Sequence, residues 1–197
     1  LLRQKGKKLY QTDQRKMDVA AVVSLAALAL ILVSFGSGND VFGVIAIISA
    51  AIHALRMRHY HTRHTFHDPM LWMLQAGYLW LVVGLLLLGL SGFGFVPFSA
   101  ALHALTAGAI GSMTLGMMCR VTLGHTGRNI TASPMTVLSF ALMIFAGVMR
   151  VFGSLIFPQY TLFWIIASAC LWSASFGFYI LTYLPMLWQP RSDGTPA

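Results

Sequence analysis

The chain has 197 residues, of which 57% are hydrophobic and 9% charged, with a formal net charge of +8. Soluble domains carry about 25% charged residues, so this composition excludes an ordinary water-soluble globular protein.

Residues 1–16 form a basic segment holding Arg3, Lys5, Lys7, Lys8, Arg15 and Lys16. Six apolar runs follow, at 17–35, 41–57, 70–90, 98–118, 134–157 and 160–187, and a polar tail occupies 189–197. Most of the runs reach the ~18 apolar residues that a membrane-spanning helix needs; the second is the shortest. The breaks between them are Gly36-Ser37-Gly38-Asn39-Asp40, Asp68-Pro69, Ser91-Gly92-Phe93-Gly94, Ser133-Pro134 and Pro158-Gln159. Backbone groups in lipid must be hydrogen-bonded internally, which leaves helices or barrel strands. Barrel strands are ~10 residues long with alternating polarity, whereas these runs are longer and apolar on every face. The expected fold is all-α: a polytopic bundle of about six transmembrane helices over 17–188. The first run is also longer than the ~7–15 residues of a signal-peptide core.

The cations are distributed by topology. Besides the basic segment, Arg56, Arg58 and Arg63 lie between runs two and three, Arg120 and Arg128 between four and five, and Arg191 after six. The other three connections contain no Lys or Arg. This alternation is the positive-inside pattern and places both termini in the cytoplasm. Topology and lipid headgroups account for the net charge, so no nucleic-acid partner is expected. Cys119 and Cys170 differ in depth by roughly 15 Å by helical rise, too far for a disulfide.

Ionisable groups within a membrane are costly and mark function by default. His103 sits about five residues past the outer end of run four, roughly 7–8 Å deep. Arg150 sits about seven residues before the end of run five, roughly 10 Å deep. A neutral imidazole and a fixed cation at one level suit a haem, with the His on iron and the Arg on a propionate. They equally suit an outer-facing polar cluster in which Arg150 snorkels outward. His53 lies about 10 Å deeper than His103, which disfavours a simple axial pair; beside Arg56 it also reads as an interfacial His. Ala104, Gly108, Ser112 and Gly116 put small residues at every fourth position of run four, for close packing of a helix or a flat cofactor. His59, His61, His64 and His67 are either metal ligands at helical spacing or a solvated loop. Met113, Met117 and Met118 are either soft copper ligands or apolar filling.

One stretch is more specific. His103-Ala104-Leu105-Thr106, Gly108, Gly111, Met113 and Arg120, followed by Leu123-Gly124-His125-Thr126-Gly127-Arg128, closely resemble the NnrS family of bacterial inner-membrane proteins. His53 with Arg56, Pro69-x-Leu71-Trp72, Gly77-Tyr78-x-Trp80 and Gly84 add to the likeness, which covers about residues 50–150. The family often has His where Gln75 stands here.

The resemblance implies a haem- and copper-containing protein of the nitric oxide response, linked to nitrosative stress and denitrification. Nitric oxide or iron-nitrosyl species would be its small-molecule partners. Family members have about twice as many spans, and this chain, which starts at Leu1 within a basic stretch, looks like their C-terminal half. A missing N-terminal half or a partner subunit is then expected. Carried over by residue, His103 and His125 are the metal-ligand candidates, while the polar groups within the runs make His103, Arg150 and His53 the cofactor-binding ones. His103 and His125 are about 33 Å apart along a continuous helix, so they would serve an outer and a cytoplasmic site. Gly124 and Gly127 would permit a turn that presents His125. Whether the protein is an enzyme stays open, since no carboxylate lies inside a run: Asp18, Asp40 and Asp68 sit at span ends and there is no Glu. The alternative function is a multi-span transporter or channel without haem.

Overall fold

The computed structural model describes residues 15–58, 65 and 67–194. Six helices long and apolar enough to cross a membrane make up the bundle. They are α1 (Arg15–Phe35), α2 (Asp40–Met57), α3 (Pro69–Gly92), α4 (Phe98–His125), α5 (Pro134–Ile156) and α6 (Thr161–Leu187). No strand occurs among the described residues, so the chain is an all-α, multi-pass membrane protein.

The helix starts follow from the breaks. The Asn39 side chain accepts from Phe42 N at 2.8 Å, and Asp68 accepts from Met70 N at 3.1 Å with Pro69 behind it. Ser133 accepts from Thr136 N at 3.2 Å, again with a proline in the first turn. Each side chain takes up an orphan backbone N–H, and proline fits where no N–H is needed. Helix α4 runs to His125, seven residues beyond the apolar run, so Arg120 lies within the helix rather than in a loop. The extension is held because Cys119, Thr122 and Leu123 are buried against neighbouring helices. The helix then closes at Gly127 (φ 69°), where Arg128 N donates to Leu123 O. Gly124 stays helical; Gly127 alone supplies the left-handed residue that ends the helix.

Helices α3 and α4 are central, while α1 and α6 carry their large apolar side chains outward. Val22, Val33, Leu162 and Leu181 are each more than half exposed, a surface suited to lipid rather than water. One core cluster holds Phe42, Trp80, Ala101, Ala104 and Val151; the other holds Met70, Met73, Cys119, Phe140, Met143 and Tyr183. Helices α5 and α6 are joined by reciprocal bonds, Ser139 Oγ to Ser175 O at 2.7 Å and Ser175 Oγ to Ser139 O at 2.8 Å. Both described cysteines are free.

The small-residue stripe of α4 is a packing surface for α3. A Cβ on Gly108 would lie 2.5–2.8 Å from the Trp80 ring, and one on Gly116 would press on Met73 and Leu74. Gly147 of α5 meets the same indole from the other side. Gly108→Ala is therefore expected to destabilise the bundle by about 1–3 kcal/mol through overpacking, read as reduced resistance to unfolding in SDS. A loss below about 0.5 kcal/mol, the size of a neutral surface change, would show that Trp80 yields.

Candidate functional site

Two of the six helices depart from α geometry. Residues Ala104–Ile110 of α4 and Met149–Gly153 of α5 are π-helical. Such widened turns are uncommon and concentrate at functional sites. Here one begins immediately after His103 and the other contains Arg150.

The two side chains meet. Arg150 donates from a terminal guanidinium nitrogen to His103 Nε2 at 2.5 Å. Guanidinium can only donate, so Nε2 holds its lone pair toward Arg150 and the ring proton sits on Nδ1. His103 is thus a neutral imidazole with its acceptor nitrogen covered. No carboxylate pairs with Arg150 among the described residues: the ion pairs there are Arg56–Asp18 and Arg191–Asp193. A half-buried cation within the membrane therefore has a neutral partner and no counter-charge.

Arg150 also lines a groove of about 540 Å³ between α4, α5 and α6. Its walls include Thr106, Gly111 and Thr114 of α4 and Trp172 and Phe176 of α6. Trp172 and Phe176 lie with ring centroids 4.5 Å apart. Gly111 lets this wall close in, since a Cβ there would sit 3.1 Å from Trp172 Nε1. The volume falls in the ~300–1,000 Å³ range of cofactor pockets, and a mostly apolar lining with few polar groups is typical of them. His103 does not line the groove; Arg150 stands between them, touching both.

His53 belongs to a different constellation. It is buried near the end of α2, and its Nδ1 lies 2.7 Å from the Tyr78 hydroxyl of α3. Arg56 donates to the same hydroxyl at 3.0 Å, stacks over the Tyr78 ring, and pairs with Asp18 of α1 at 2.7 Å. Because Arg56 only donates, the Tyr78 oxygen accepts from it, and the same hydroxyl is shared with His53 Nδ1. His53 Nε2 is buried with no hydrogen-bond partner among the described residues. The chain of bonds ties α1, α2 and α3 together and does not include His103.

His125 is exposed at the last turn of α4. No group of three or more His, Cys, Asp or Glu residues with metal-binding proximity occurs among the described residues. His59, His61 and His64 lie outside the described residues. The turn after His125 is strapped by the tail: Ser192 Oγ donates to Gly127 O at 2.7 Å and Arg128 to Gln189 at 2.6 Å. Met113 packs against Gly77 while Met117 is exposed, so the three methionines do not face one way. Gln75 donates to Thr65 at 2.7 Å. Sequence reasoning overlooked Tyr78 and Trp172 as site components, because neither polarity nor periodicity distinguishes them from other membrane aromatics.

A family model described as NnrS protein matches residues 4–191. No curated protein and no solved structure matches the chain.

Proposed function

The chain belongs to the NnrS family, and from that premise we propose that it is a haem- and copper-binding membrane protein that limits nitric oxide toxicity. The observation that carries the haem reading is Arg150, a membrane cation without a carboxylate, bonded to a neutral imidazole at the edge of a cofactor-sized groove. The residues fit the group. Arg150 would hold a propionate, Trp172 and Phe176 would give the apolar ring a wall, and His103, bonded to Arg150 beside the groove, would supply a nitrogen ligand. Bound haem would supply an iron centre that binds nitric oxide. The protein's own part is to fix the imidazole tautomer, neutralise carboxylate charge and keep the site dry.

Copper is not matched in the same way. His125 belongs to no group of three or more His, Cys, Asp or Glu residues among the described residues, which alone do not complete a copper site. A site using His125 would draw on residues outside the described range, on an N-terminal half or on a partner subunit. The proposed setting is the bacterial inner membrane with both termini in the cytoplasm, since the connections carrying Lys and Arg alternate with those that carry none.

The test is the pigment and metal content of the purified protein. A Soret band with stoichiometric iron is expected; a colourless protein would overturn the haem reading and favour a transporter or channel. In the same preparation His125→Ala is expected to lower copper and leave the Soret band intact. Unchanged copper would confine His125 to ending the helix.

A further inference from the structure

We propose that Arg150 is a displaceable cover on His103, lifted when a carboxylate-bearing amphiphile enters the groove. The inference deepens the haem reading, on which its ligand class rests. Three observations converge on it. Arg150 occupies the one lone pair that the neutral His103 ring can offer a metal. It lines the groove, whereas His103 does not, so a ligand in the groove meets the guanidinium first. And it has no carboxylate partner among the described residues.

The exchange has a direction. A guanidinium bonded to a neutral imidazole makes one cation–dipole contact. Bonded to a carboxylate it makes two parallel charge-assisted bonds, and in a low-dielectric site the attraction between full charges is far stronger. A carboxylate in the groove therefore draws Arg150 onto itself. No proton moves: Arg150 stays protonated and His103 keeps its proton on Nδ1. What changes is that Nε2 is left with a free lone pair beside the occupied groove. The π-helical turns, one starting just after His103 and one containing Arg150, supply a backbone that is already widened where the side chains must part. Charge capture and metal ligation become sequential, so a porphyrin without free carboxylates, or a stray metal ion, meets a covered imidazole.

Two measurements on the full chain in detergent micelles test this. The first uses no porphyrin. Carbethoxylation of His103 by diethylpyrocarbonate, quantified by mass spectrometry, is expected to be several-fold faster in Arg150→Gln, whose side chain is too short to reach the ring. Arg150→Leu serves the same purpose should the amide find another partner. Equal rates in wild type and both variants would overturn the cover. Acceleration of the wild type by phosphatidylglycerol alone would overturn the groove as the source of the anion, because a lipid headgroup would then suffice. The second compares ferric haem with its dimethyl ester. In wild type the free acid should give a His103-ligated spectrum and bind at least about tenfold more tightly than the ester; in Arg150→Gln the two should bind alike, both through His103. An ester that ligates His103 in wild type as well as the acid does would overturn the proposal. Failure of both porphyrins to bind any variant, with the reactivity difference intact, would strike the haem reading and leave the cover standing.

Discussion

His103→Ala is expected to abolish the Soret band, or to shift it to that of a haem lacking a protein nitrogen ligand, with copper content unchanged. The substitution removes the imidazole bonded to the groove-lining Arg150. It also leaves Arg150 without its bonded partner, so some loss of stability accompanies it. Arg150→Gln separates the two effects. The ligand remains, haem should be retained, and the reduction potential should fall by on the order of tens of millivolts, because a nearby cation favours the more electron-rich ferrous state. Optical spectra with a redox titration read both outcomes. A full Soret band in His103→Ala would remove it as the ligand, and an unmoved potential in Arg150→Gln would return Arg150 to the role of a residue snorkelling toward the interface.

Tyr78→Phe is expected to cost about 1–3 kcal/mol, the penalty for leaving buried polar groups unpaired, although it deletes a single oxygen. That oxygen accepts from Arg56 and is bonded to His53, and the two bonds join α2 to α3 while Arg56 carries the connection on to Asp18 of α1. Without it, His53 Nδ1 faces an apolar ring inside the membrane. Replacing both partners removes the orphan, so Tyr78→Phe combined with His53→Leu should recover much of the loss. Unfolding in SDS measures each variant, and the double-mutant cycle isolates the coupling. A single mutant within about 0.5 kcal/mol of wild type, inside the range of ordinary surface substitutions, would mean that water replaces the hydroxyl. The haem band should persist throughout, since this network does not include His103.

The apolar helices, their number and the breaks between them were legible from the sequence because each depends on local chemistry. An apolar run long enough to cross lipid has one stable backbone solution, and Asn39, Asp68-Pro69 and Ser133-Pro134 cap a helix whatever surrounds them. The likeness to NnrS proteins was legible for a similar reason: it lies in a contiguous stretch from His103 to Arg128. Matched depths of His103 and Arg150 were also within reach, since helical rise fixes depth from residue number. Azimuth was not. Whether two residues at one level face each other depends on helix rotation, and that is set by packing, here by Gly108 and Gly147 closing on Trp80. Rotation is altered again by the π-helical turns, which shift the register of everything beyond them. The same limit hid the partnership of His53 with Tyr78, which are 25 positions apart on different helices. It also hid the groove, whose walls come from three helices. Arg120 breaks the apolar run at residue 118, and burial of Cys119 and Leu123 carries the helix past it to His125. Tertiary packing thus decided which polar groups meet, because lipid selects for apolar helices without specifying how they turn toward one another.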